Sequence, residues 1–252
     1  MLFVAYGRFL VIGGGLFQSQ NEVIDLTDSS LNCTSAFGDF LSFSKYAMGG
    51  LINETPILCG GFDSNGATYD SCIVFSQPKK SIKMIEPRYS AANVVLNETT
   101  LWIIGGHHGS TRLSSTELIT LDPATSVNGP AIPNELCASC AVKYNDTHIY
   151  LTGGHNNSGF TDKVWIYNTA GSSSWTEGPR MNDGRGYHGC TVLHHDQRSW
   201  IVLAGGLNDD DAFKSMEILD PSRNKWVQGE NTKKLFTFSS YTKKLRLICC
   251  SF

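Results

Sequence analysis

Histidines beside glycine pairs, a close cysteine pair, an acidic run and several Asn-x-Ser/Thr triplets are the parts of this sequence that could do chemistry. His107, His108 and His155 follow Gly-Gly pairs. If the pairs mark a repeat, those imidazoles share one face, the kind of placement a metal ion uses; solvated loop histidines are the commoner outcome, and no metal is expected. Cys137 and Cys140 form a C-x-x-C, but no second pair completes a zinc ribbon and no strand–helix context makes a redox motif. The run Asn208-Asp209-Asp210-Asp211 lacks the ligand spacing of a calcium loop. Gly184 to Gly189 matches G-x-G-x-x-G, yet it leads into a strand-like stretch instead of opening a helix, so it is not a nucleotide site. His194-His195 falls in a hairpin turn. No catalytic residue and no cofactor is assigned.

The other cysteines and the asparagines bear on compartment. Cys59 and Cys72 lie on the second and third strands of one unit and are disulfide candidates in an oxidising environment. Cys140 and Cys190 are read as small core residues at equivalent places in successive units. Glycosylation sequons begin at Asn32, Asn53, Asn97, Asn145 and Asn156, and three of them fall on the same hairpin turn. This favours an extracellular protein, against a cytoplasmic alternative. The opening MLFVAYGRFLVIGGG has no leading basic segment, and Arg8 interrupts its apolar run. It is read as part of the fold, not as a signal peptide.

Something must hold these residues, and a repeat supplies it. Apolar runs end in a glycine pair at Gly14, Gly61, Gly106, Gly154 and Gly206, so the period is 45 to 52 residues. Ahead of each run lies a polar turn and another apolar strand, as in SAANVVL, Asn97-Glu98-Thr99, LWIIGG. A polar loop and a third strand follow, and in the last two units a fourth strand carries Trp175 or Trp226. Three or four antiparallel strands cannot cover both their faces. Stacking such units around an axis does.

The glycine pair, a strand ending in Asp122-Pro123 or Asp220-Pro221, and Trp175 or Trp226 together resemble the Kelch repeat. The resemblance covers residues 1–229 and implies an all-β propeller of about five four-stranded antiparallel blades. The units run 1–43, 44–87, 88–135, 136–183 and 184–229. The first three lack the tryptophan, and Leu31, Ile82 and Val127 stand near its place. Residues 230–252 do not restart the repeat. Two readings stand: a piece of a longer, six-bladed ring, or a five-bladed ring with a tail.

Formal net charge is −3 on 252 residues, which gives no general attraction for nucleic acid. No stretch is apolar for the roughly 20 residues a membrane helix needs. The expected function is a protein- or peptide-binding module. The loops entering each first strand supply Lys45, Tyr46, Arg88, Tyr89, Glu135, Arg185, Tyr187 and His188, and Tyr and Arg are favoured interface anchors. Resemblance to Kelch adaptors that grip an acidic peptide points to Arg88, Tyr89, Arg185 and Tyr187. A carbohydrate-active enzyme of the epimerase or oxidase type, and an incomplete gene product, are the alternatives.

Overall fold

The structure, a computed structural model, describes residues 2–6, 9–13, 22–25, 33–34, 45–63, 65–76, 78, 80–171 and 174–229, with side chains from residue 45 onward. The tail at 230–252, Leu31 and Asn32 lie outside the described residues. Every regular element described is a strand.

Five four-stranded antiparallel sheets follow one another along the chain, each a simple meander. The first contains β1 (Leu2–Tyr6), β2 (Phe9–Gly13), β3 (Glu22–Asp25) and β4 (Cys33–Thr34). The second has β5 (Met48–Ile52), β6 (Thr55–Cys59), β7 (Ser71–Val74) and β8 (Lys80–Lys83). In the third, β9 (Ala92–Val95) and β10 (Thr100–Ile104) precede a small hairpin, β11 (His107–His108) with β12 (Thr111–Arg112); β13 (Thr116–Leu121) and β14 (Ala124–Gly129) complete it. The fourth repeats this plan with β15 (Cys140–Lys143), β16 (His148–Thr152), the hairpin β17 (His155–Asn156) and β18 (Gly159–Phe160), then β19 (Val164–Asn168) and β20 (Trp175–Glu177). The fifth has β21 (Gly189–His195), β22 (Arg198–Ala204), β23 (Met216–Asp220) and β24 (Lys225–Gln228).

The first strands of successive sheets are neighbours in the order β1, β5, β9, β15, β21. The sheets are therefore propeller blades, with the first strand innermost. The core lies between blades. Met48, Ile57 and Cys72 of blade 2 meet Leu101, Ile103 and Ile119 of blade 3. Trp102 and Ile104 then meet Ile149, Leu151 and Trp175 of blade 4. Tyr150 and Val164 meet Ile201, Leu203 and Trp226 of blade 5. Alternation along each strand sends neighbouring residues to opposite faces, so one strand serves two interfaces. Side chains as buried as Leu101, Ile103 and Ile201, all 0% exposed, contribute about 2 kcal/mol each.

The glycine pairs join one blade to the next. Gly105 and Gly106 have φ of +64° and +103°, and Gly153 and Gly154 have +55° and +106°. The second glycine donates its N–H to the entry loop of the following blade: Gly61 to Arg88 O, Gly106 to Leu136 O, Gly154 to Arg185 O, each at 2.8 Å. A Cβ on Gly153 would stand 2.4 Å from Arg185 O. Positive φ and this close approach both demand glycine.

Pairing register corrects two sequence expectations. Leu219 faces Trp226 and Tyr167 faces Trp175, and the matching partner in blade 3 is Ser126, opposite Ile119. Val127 points the other way and is 49% exposed. Ile82 pairs with Cys72, so it occupies the place of Gly129, not of the tryptophan. The two tryptophans reach back a blade: Trp175 Nε1 donates to Pro130 O and Trp226 Nε1 to Pro179 O.

The second correction concerns cysteines. Cys140 pairs with Thr152, but Gly189, not Cys190, pairs with the equivalent Ala204. Cys190 is offset by one residue and turns its side chain back toward blade 4. Cys140 faces forward, and the two form a disulfide between blades, Cα to Cα 6.0 Å, closing a 50-residue separation. They are not two independent core thiols. Such a loop removes chain entropy equivalent to about 4 kcal/mol in the polymer model. Cys59 and Cys72 also form a disulfide, across the directly paired strands β6 and β7.

Candidate functional site at the propeller mouth

The entry loops and the loops after the glycine pairs meet at one end of the blades. Single bridges join them in register: Lys45 with Phe62, Tyr89 with His107, Cys137 with His155, Gly186 with Leu207. One residue further along each entry loop, Tyr46, Ser90, Ala138 and Tyr187 all have φ between +53° and +55°. These residues form a belt: Ser90 N donates to Tyr46 O, Ala138 N to Ser90 O and Tyr187 N to Ala138 O, at 2.8 to 2.9 Å. Four blades are thus laced by main-chain bonds where side chains would meet a partner, a rigid frame for recognition.

Aromatic rings fill the mouth. Tyr46 stacks on Phe62 at 5.8 Å and touches Tyr187 at 6.0 Å; Phe62 lies 4.7 Å from Tyr89. Tyr89 meets His107 edge-on at 5.2 Å. Its hydroxyl donates to Gly109 O at 2.9 Å, so His107 must donate through Nδ1 to the phenolic oxygen at 3.0 Å. That tautomer leaves His107 Nε2 as a shielded lone pair without a partner. All four aromatic residues are half-buried.

Arg112 is the cation of this cluster. It stands opposite His107 on the small hairpin of blade 3 and reaches blade 4. Nη1 donates to Asn157 Oδ1 at 3.0 Å and Nη2 to His155 Nδ1 at 2.7 Å. Asn157 in turn donates to Glu135 at 2.8 Å. Burial, and then Arg112, hold His107 and His155 below the usual imidazole range, so both are neutral near pH 7. Burial pushes the Cys137 thiol up while Arg112 pulls it down, and the free Cys137 stays a thiol. The Tyr46 phenol is pushed up to about 12 by burial and by neighbouring Tyr187 and Tyr89. The mouth therefore offers neutral aromatic faces, polar edges and one guanidinium. Among the described residues, no three His, Cys, Asp or Glu side chains gather as metal ligands.

The period, the glycine pairs and the five meander sheets agree with one further observation: the family model described as the Kelch motif matches residues 136–182, which is blade 4 with its entry loop. The protein is a Kelch-repeat β-propeller. No curated protein matches the chain.

On this Kelch propeller the expected partner residues divide. Lys45, Tyr46, Tyr89 and Tyr187 lie at the mouth, half-buried. Arg88, Arg185 and His188 do not present themselves there, and the expectation for them is corrected. Arg88 and Arg185 are 0% exposed. Arg88 pairs with Glu117 at 2.7 Å and Arg185 with Glu217 at 2.7 Å, every side chain fully buried. The terminal guanidinium nitrogens also donate to Gly105 O and Ser115, or to Gly205 O, Ser215 and Asp183, while Nε of each arginine has no partner among the described residues. These arginines hold the entry loop to the third strand of the blade. His188 is 1% exposed and donates across a blade interface to Thr152. The Gly184–Gly189 segment is the entry loop of β21, as its strand context implied.

Sequence reasoning missed Phe62 and Arg112. Phe62 directly follows Gly61 and bridges Lys45, whereas Arg112 lies six residues after Gly106 and pairs with His107. For Phe62 the repeat was the signal: whatever follows the glycine pair by one residue stands beside the entry loop of the same blade.

Proposed function

We propose that this Kelch propeller is a binding module that takes a peptide or an extended protein segment at the mouth, and that it works outside the cytosol. The observation that carries the reading is the half-buried group of Tyr46, Phe62, Tyr89 and Tyr187 beside Arg112. It rests on a main-chain belt that need not reorganise. Rigid aromatic anchors with a guanidinium are the usual energetic centre of an interface, and a preformed site loses little ordering entropy on binding. Two disulfides support an oxidising compartment.

The test is a selection of random displayed peptides on the folded protein. Enriched peptides are then measured against Tyr89→Ala and Arg112→Ala. Loss of an anchor at the interface centre costs about 2 kcal/mol, a roughly 30-fold weaker Kd. Peptides that bind both variants as well as the parent would remove the mouth from consideration.

A further inference from the structure

The mouth uses one end of the blades, and three of the sequons occupy the other. Each first strand starts at the mouth and runs to a hairpin turn. In blades 2, 3 and 4 that turn is Asn53-Glu54-Thr55, Asn97-Glu98-Thr99 and Asn145-Asp146-Thr147. All three asparagines are exposed. From Tyr89 to Asn97 the chain advances eight residues, about 25 Å for extended backbone.

In blades 3 and 4 the turn also presents the reactive atom. Asn97 Oδ1 accepts from Thr99 N at 2.9 Å and from the Thr99 hydroxyl at 3.0 Å. Asn145 Oδ1 accepts from Thr147 N, the Thr147 hydroxyl and His148 N. The turn thus uses each oxygen, and no hydrogen bond among the described residues uses Nδ2. An Asx turn needs only a main-chain N–H two residues on, so the turn does not require threonine there. The turns of blades 2 and 5 instead place two residues at positive φ, Asn53-Glu54 and Asp196-Gln197, and only the first of these carries a sequon. Asn156 makes the same Asx bond, accepting from Ser158 N at 2.8 Å, and differs in place: it is half-buried and sits on the β17–β18 hairpin at the mouth.

We infer that Asn53, Asn97 and Asn145 carry N-linked oligosaccharides and that Asn156 does not, so that one end of the ring is sheathed in glycan and the mouth is bare. The donor is a lipid-diphosphate-linked oligosaccharide. A bond forms between Asn Nδ2 and the anomeric carbon, the bond from that carbon to the diphosphate oxygen breaks, and the amide gives up one proton. No electron is transferred. The arrangement directs partners to the mouth, since hydrated glycan on three adjacent blades covers the opposite approach.

The inference rests on the extracellular placement and not on peptide binding. The full chain is secreted from cultured animal cells behind a supplied leader. Protein with the Cys140–Cys190 bridge intact is treated with peptide-N-glycosidase in heavy-oxygen water, which marks each formerly glycosylated asparagine as labelled aspartate. Label is expected at 53, 97 and 145 and absent at 156. Two or more of the three turn sites unlabelled, or label at 156, overturns the inference. The placement fails separately if, in the cells that make the protein, Cys140 and Cys190 are trapped by alkylation as free thiols.

Discussion

Replacing Arg88 with alanine is expected to destabilise the fold by about 3–5 kcal/mol, the usual consequence of stranding one member of a buried ion pair. Glu117 would keep its charge at 0% exposure. Its remaining partners are the N–H groups of Ile85 and Glu86 and the Ser126 hydroxyl. The entry loop would also lose its tie to Gly105 O and Ser115, while Arg88 O is the acceptor for Gly61 of the previous blade. Blade 4 shows the alternative. Register places Trp165 where blades 3 and 5 have Glu117 and Glu217, and Leu136 stands where they have Arg88 and Arg185. There both members are apolar and buried in one cluster. The double change Arg88→Leu with Glu117→Leu should therefore cost far less than the sum of the two single changes, because no charge is left alone. Denaturant midpoints of the four proteins measure this coupling. Additive costs would mean that the pair is not a unit.

Acid should weaken the protein through His188. Thr152 Oγ1 spends its proton on Cys140 O at 3.2 Å, so His188 Nε2–H donates to Thr152 at 2.9 Å. Nδ1 is then a buried lone pair without a partner. Burial, reinforced by the Arg185 charge, lowers the folded pKa to about 3 from an ordinary 6.5. The sign follows directly. Below pH 6.5 the unfolded chain binds a proton that the folded chain refuses, so stability falls as pH drops. The loss is about 1.4 kcal/mol per pH unit and levels off near the folded pKa, for a limit of roughly 5 kcal/mol. Carboxylates contribute to acid unfolding too, so the comparison is with His188→Gln, which keeps a donor for Thr152. Between pH 6 and pH 4 the parent should lose stability faster than the variant, by about 1.4 kcal/mol per unit. Parallel curves would show that His188 is neither buried neutral nor refused its proton.

The blade plan was legible because it rests on local signals. Gly105-Gly106 and Gly153-Gly154 need positive φ and a bare Cα at the same point of each unit, and no other residue type meets that need. The mouth was legible in part for the same reason: Tyr46, Tyr89 and Tyr187 occupy the entry loops that the repeat locates. The rest depended on distance between blades, which a one-dimensional pattern hides. Arg88 and Arg185 looked like rim anchors by residue type, yet their carboxylate partners come 29 and 32 residues later. Only the strand register turns Glu117 and Glu217 toward them. Cys140 and Cys190 looked equivalent until a one-residue offset reversed one side chain. Arg112 sits in a two-residue strand without periodicity of its own, and nothing short of the blade packing places it against His155.

The claim that the mouth is the recognition surface has a direct test in photo-crosslinking. A benzophenone side chain replaces Tyr89 at the mouth in one protein and Glu98 at the opposite turn in another, and each is irradiated with the peptides enriched on the parent. The account predicts covalent adducts from position 89 and none from position 98. Adducts from 98 with none from 89 would contradict it.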